Sequence, residues 1–305
     1  MGLRSCAVVA LLIVAPGFVG STSGADAAEA LRWKFKAGDT LRFSIEQKSS
    51  MTMKGMGTER KSTRTHTVEM SWRVVRVDAG GEAEITQKLD RIRMRAEMPP
   101  LMPFEFDSAA SKADQPGFEA ESRQLRAQVG AEFTFRMKRT GEITDIKLSA
   151  PTLKALREAL PPGAPDTELS EQAIKETLLQ SSPPAFPEGP LEPGMSWSAK
   201  PARMPLGFAT LVMDRTFTYQ GPDPKNPNML LVNIDTTAKL EPGEGPDVKA
   251  TIRSQEGKGS LAVDAQAGRV VTTRFGLKLD MAITAMGQSV EQSTEMNSSM
   301  SLLGH

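Results

Sequence analysis

Phe275-Gly276-Leu277-Lys278-Leu279-Asp280-Met281-Ala282-Ile283 sets apolar residues at strict period two. Successive side chains of an extended chain point to opposite faces. Phe275, Leu277, Leu279, Met281 and Ile283 therefore share one face, and Lys278, Asp280 and Thr284 take the other. One dry face and one wet face is the signature of antiparallel sheet. The same parity links Leu41, Phe43 and Ile45 and runs on to Met51 and Met53; it returns at Val68, Met70, Trp72 and Val74. A slip at Val74-Val75 predicts a bulge. Further strands are expected over about 83–98, 132–138, 142–148, 210–220, 229–240, 248–255, 259–264 and 269–274.

The centre of the chain has a different period. Leu153, Leu156 and Leu160 are spaced by three and four between Pro151 and Pro161-Pro162-Gly163, which predicts a helix; Ile174, Leu178 and Leu179 predict another after Ser170. A third is expected from Phe118 to Val129, and Pro183 to Pro190 reads as a stiff connector. The fold class is therefore mainly β (α+β). Long antiparallel curved sheets would come from two half-related β regions, residues 28–150 and 193–305, with a short helical and Pro-rich insert over 151–192. The relatedness rests on short matches. Met51-Thr52-Met53-Lys54-Gly55-Met56-Gly57 resembles Met281-Ala282-Ile283-Thr284-Ala285-Met286-Gly287, yet one lies near the start of its half and the other near the end of its own. A simple tandem duplication does not explain that placement.

The first residues read as an address. Arg4 precedes the apolar run Cys6 to Gly20, and Ala25-Asp26-Ala27 has the form of a signal-peptidase site, so residues 1–27 are expected to be a cleaved signal. Export to the periplasm or the extracellular space follows, with no transmembrane segment after signal removal. Cys6 is the single cysteine, so cleavage would leave no thiol for disulfides, nucleophilic catalysis or cysteine-ligated metal. Thirty-seven Lys and Arg balance 37 Asp and Glu, which disfavours a nucleic-acid partner.

Phe35-Lys36-Ala37-Gly38-Asp39-Thr40-Leu41-Arg42, Met51 to Gly57, Phe186 to Gly194, and Ser254-Gln255-Glu256-Gly257-Lys258-Gly259 together resemble an uncharacterised family of exported bacterial proteins, of the kind associated with planctomycetes. The resemblance spans most of the chain and implies no activity. More loosely, long antiparallel strands with a helical insert are similar to the half-barrel lipoprotein-carrier fold.

Seventeen methionines against two histidines shape the candidate sites. Met51, Met53 and Met56 form M-x-M-x-x-M; thioethers select Cu(I), and His66 on the returning strand could add a ligand. Core or lining methionine is the competing reading, because Met fills irregular apolar surface. Met70, Met94, Met98, Met281 and Met286 fall on or beside expected strands and could line an apolar cavity or simply pack a core. Arg91, Arg93 and Arg95 share a strand face and could grip an anion, although such a row is more often a solvated face paired with carboxylates. Enzyme signatures are missing. Gly194-Met195-Ser196-Trp197-Ser198 lacks the second Gly of a nucleophile elbow, and Gly257-Lys258-Gly259 lacks the spacing of a phosphate loop.

These readings converge on an exported binding or scaffold protein of unknown ligand, without catalysis and without a cofactor. The alternatives are a periplasmic carrier of a lipid or other apolar ligand and a Met-based copper-binding protein. The partner is unknown, with an apolar ligand or an envelope protein as candidates.

Overall fold

The computed structural model describes residues 31–55, 57–111, 114–159, 185–206, 208–242, 248–285 and 287–304. Among them run 13 strands and two helices. In chain order they are β1 (Thr40–Gly55), β2 (Thr58–Val77), β3 (Ala83–Glu97), β4 (Phe104–Asp107), α1 (Glu119–Gln128), β5 (Glu132–Met137), β6 (Ile143–Leu148) and α2 (Ala150–Glu158). There follow β7 (Ser196–Ser198), β8 (Ala202–Pro205), β9 (Ala209–Asp223), β10 (Asn226–Pro242), β11 (Val248–Asp264), β12 (Arg269–Ala285) and β13 (Gln288–Leu303). All strands join one antiparallel sheet in the order β6-β5-β3-β2-β1-β13-β12-β11-β10-β9-β7, with β4 on β3 and β8 on β9. The mainly β, antiparallel class read from the alternation is the class observed.

Each half of the chain is a meander, and the two meanders meet where β1 pairs with β13, from Arg42↔Leu303 to Lys54↔Glu291. Hairpins β1–β2 and β12–β13 are thus neighbours at the middle of the sheet. The match between Met51–Gly57 and Met281–Gly287 marks two adjacent hairpins that turn at the same end. Gly57 and Gly287 close them at φ 72 and 76, where a side chain would be strained. The expected bulge is present too, with register shifting between Val74 and Arg76.

The sheet curls strongly at one end. Trp33 N donates to Arg139 O (2.6 Å) and the next residue, Lys34, donates to Gly268 O (3.5 Å). Arg139 precedes β6 and Gly268 precedes β12; in a flat sheet β5 and β12, five strand steps apart, would be separated by about 24 Å. Phe186 N likewise donates to Thr140 O (2.8 Å) while its ring lies 6.0 Å from that of Trp197 on β7, at the far edge. Consecutive residues cannot span a flat sheet, so the two margins approach each other here.

Aromatic side chains plug this end. Trp33 stacks on Phe35 (5.0 Å between ring centroids) and packs against Trp72, which meets Phe43 and Phe135 edge-on. Leu31, Phe186 and Leu191 join the same buried cluster. A smaller apolar cluster lies elsewhere, where Leu279 and Met281 of β12 pack on Leu211 of β9 and Ala238 of β10, with Leu206, Met213, Leu240, Ile252 and Ile283 around them.

The helices differ from expectation in detail. α1 fits the span expected from Phe118 to Val129. α2 starts at Ala150 rather than after Pro151, because Ser149 caps it by accepting from Thr152 N. α2 contributes no residue to the apolar cluster around Leu279 and Met281 of β12. It packs instead on α1 and is tied to β5, where Thr152 Oγ1 accepts from Glu132 N (3.0 Å). The buried Leu279 and Met281 of β12 share their cluster with Leu211 of β9 and Ala238 of β10. The helix expected at 171–179 lies outside the described residues.

Candidate functional site

Inward-facing residues form transverse rows that cross the strands. The deepest complete row is Ile92, Val68, Ile45, Met300, Thr273, Leu261, Val232 and Tyr219, all buried. One step toward the hairpin ends come Met94, His66, Gln47, Ser298, Phe275, Gly259, Ile234 and Phe217. The next step holds Ala96, Arg64, Ser49, Met296, Leu277, Gly257, Thr236 and Arg215. Beyond it the inner side chains of the two central strands, Met51, Met53, Thr294, Gln292 and Val290, are only half-buried. The interior is sealed by aromatics at one end; toward the hairpin turns it loosens on β1 and β13, while Leu279 and Met281 of β12 in the same rows stay buried.

Gly257 and Gly259 permit tight inward curvature of β11. A Cβ on Gly259 would stand 2.5 Å from Arg274 O, and one on Gly257 would stand 2.7 Å from Thr236 O. The Gly-Lys-Gly run is therefore a close-approach device between strands.

Polar groups interrupt the apolar interior in the two middle rows. His66 is 5% exposed, and among the described residues its Nε2 has no hydrogen-bond partner. Burial, and secondarily the charge of Arg64, push its pKa down to about 4, so the imidazole is neutral at pH 7. Arg64 is half-buried, and its Nε is unpaired among the described residues. Desolvation by burial lowers its pKa. Among the described residues, Thr236 in the Arg64 row and Thr273 in the deepest row also have buried, unpaired hydroxyls. Gln47 donates through Nε2 to the Met296 sulfur at 2.9 Å, a weak acceptor. Arg215 shares the Arg64 row from β9, and burial lowers its pKa as well.

The methionines singled out by sequence divide among these zones. Met70 is 1% exposed inside the main core, and Met281 is 3% exposed inside the smaller cluster. Met94 is half-buried beside His66, opposite it across the β2–β3 pair. Met98 is 41% exposed past the end of β3. Met51 and Met53 do share the inner face of β1; Met56 and Met286 lie outside the described residues. The expected approach of His66 to the Met51 pair fails on register. His66 faces Gln47, four residues from Met51, or about 13 Å along the strand. Among the described residues no group of three or more His, Cys, Asp or Glu could hold a metal ion.

The arginine row is a surface ion-pair ladder. Arg91 makes a bidentate pair with Asp107 (3.0 and 2.6 Å), Arg93 meets Glu69 (2.7 Å), and Arg95 bridges Glu97 and Glu105 (2.9 Å each). The hydrogen bonds from Arg91 hold the Asp107 carboxyl well below its usual range, at about 2. These three guanidinium groups are already occupied by carboxylates. Arg64 has the opposite environment, and alternation alone did not single it out.

A family of unknown function, DUF6263, matches residues 80–268, more than half of the chain. The chain belongs to that family. The match covers β3 through β11 and includes both Gly257 and Gly259. A comparison with curated proteins finds no match. Among solved structures, a lipovitellin chain described for its lipid–protein interactions is similar at 10% identity and a TM-score of 0.48, covering 89% of this chain. This chain spans about a quarter of that one, 26%. DynF from the dynemicin pathway of Micromonospora chersina is similar at 10% identity and TM-score 0.22, with 94% of each chain covered. An outer membrane channel from Pseudomonas putida F1 is similar at 7% identity and TM-score 0.25, over 93% of this chain and 100% of the other. Among the described residues no helix is long and apolar enough to cross a membrane.

Proposed function

We propose that this family member is an exported binding protein whose curled sheet receives an apolar ligand through its loosened end, without performing chemistry on it. One observation carries the reading. Along β1 and β13 the inner face passes from fully buried rows at the aromatic plug to half-buried Met51, Met53, Met296 and Val290 toward the hairpin turns, beside the buried Leu279 and Met281 of β12. A closed core would bury these side chains as completely as it buries Met70 and Met300. Flexible thioethers suit a wall that must fit a soft, variable ligand. Residues 1–27 act as the export signal in this reading, dividing address from binding domain.

The test uses the neutral fluorescent probe 1-N-phenylnaphthylamine with the protein recovered from the cell envelope. Saturable binding near one probe per protein supports the reading. A scaffold with a closed interior would bind none, and that result would overturn it. Intact mass of the same sample reads the export step; a mass that begins near Ala28 is expected, and one retaining Met1 would refute cleavage.

A further inference from the structure

We infer that Arg64 is the head-group receptor of this interior and that the ligand is a single-chain amphiphile with an anionic, carboxylate-type head. The inference rests on the proposed ligand-binding reading and names the ligand class of that same site.

The geometry begins with parity. Arg64 lies on the same face of β2 as His66, Val68, Met70 and Trp72, all buried, so its side chain enters the interior rather than the solvent. The other basic side chains on that hairpin differ. Lys54 pairs with Glu59 at 3.2 Å, while Arg60 and Lys61 are exposed. Among the described residues, no carboxylate lies within ion-pair distance of Arg64. A half-desolvated guanidinium without a counter-charge is unfavourable, and an anion placed against it relieves that cost.

Its neighbours complete an anion-sized polar patch. Ser49 is its direct partner on β1, and His66, one row deeper, presents a buried nitrogen with no protein partner among the described residues. His66 is neutral, so Arg64 supplies the local positive charge, and the guanidinium fork matches the two oxygens of a carboxylate. The apolar tail has a path beside it. Met296 and Leu277 lie in the Arg64 row itself, and Met51 and Met53 continue toward the turn at Gly55. From Ser49 to Gly55 the strand advances about 20 Å, enough for an extended alkyl chain.

The experiment displaces bound 1-N-phenylnaphthylamine with laurate or with dodecanol, which share a twelve-carbon chain and differ in head group. The parent should prefer laurate by about tenfold or more, the least expected of a charge-assisted pair. Arg64→Met, of similar length and apolar, should abolish that preference, read as the ratio of laurate to dodecanol competition within the variant itself. Arg64→Lys should retain part of it. Equal competition by laurate and dodecanol in a parent that binds the probe would overturn the Arg64 assignment and leave the apolar site standing. An unchanged laurate preference in Arg64→Met would overturn it too. Failure of the parent to bind the probe at all would remove the site and, with it, this inference.

Discussion

Replacing His66 by Leu tests the interior through its titration. His66 is 5% exposed and its pKa is depressed from 6.5 to about 4, with burial the first cause and Arg64 the second. A depressed histidine pKa means that the unfolded chain binds the proton more readily than the folded one. Stability therefore rises with pH between the two values, is fully present above about 6.5, and falls as pH drops toward 4. At about 1.4 kcal/mol per unit, the shift from 6.5 to about 4 corresponds to a loss on the order of 3 kcal/mol across that window. Below pH 4 both states carry the proton and the loss stops growing.

Urea unfolding of the parent and of His66→Leu at pH 7.5, 5.5 and 4.5 isolates this contribution. Carboxylates such as Asp107 titrate in both proteins and cancel in the difference. The parent should lose about 3 kcal/mol more than the variant between pH 7.5 and 4.5. In Arg64→Met the second cause is gone, so the window should narrow and the loss shrink. Parallel pH profiles for parent and His66→Leu would refute a neutral, desolvated His66 and would place that imidazole in contact with water.

Met281→Ala should cost about 2–5 kcal/mol in chemical denaturation, because Met281 packs on Leu211, Ala238 and Leu279 rather than on a cavity. A cost under 1 kcal/mol, with weaker binding of the neutral probe, would instead make it a ligand wall. Gly259→Ala should lower stability by about 1–3 kcal/mol, since the added methyl group meets backbone at Arg274 O that cannot rotate aside. An unaltered urea midpoint would show that β11 and β12 separate easily. Arg91→Gln should leave the urea midpoint nearly unchanged despite the bidentate pair with Asp107, because both side chains are about a third exposed and solvent screens the pair. A clear drop would point to a structural role for β4, whose Asp107 it holds.

Alternation made the long strands legible wherever one face was apolar. Phe275 to Ile283 and Leu41 to Met53 were read with their faces and fall within β12 and β1. β13 was not read as a strand, because Gln288 to Leu303 is mostly polar and its inward residues include Gln292, Thr294 and Ser298. Its strandhood comes from pairing on both sides with β1 and β12, a long-range fact that no local pattern contains. The two strands expected at 248–255 and 259–264 proved to be one, because Gly257 and Gly259 continue the strand at a close approach to its neighbours. The site was legible only in part. Methionine abundance pointed toward a soft interior, but the choice between core and wall depended on how far the sheet curls. Arg64 was hidden among exposed basic residues until register placed it beside His66.

The centre of the sheet argues against an ordinary core. A core of this size, unconstrained by a ligand, gains stability from apolar side chains at each inward position. β12 follows that rule with Phe275, Leu277, Leu279, Met281 and Ile283. β1 and β13, beside it, turn Gln47, Ser49, Gln292, Thr294 and Ser298 inward instead. Both central strands are paired along their length, so these polar residues are not explained by a free edge. The interior therefore has an apolar stripe on β12 and, beside it, a polar stripe on β1 and β13 interrupted by Met51, Met53, Met296 and Met300, with Arg64 flanking it. A purely hydrocarbon ligand would leave the polar stripe unsatisfied, and a small hydrophilic ligand would leave the apolar stripe wet. The amphiphile proposed above would set its anionic head against Arg64 beside Gln47 and Ser49, and its tail along Met51, Met53, Leu277 and Leu279 toward the hairpin turns.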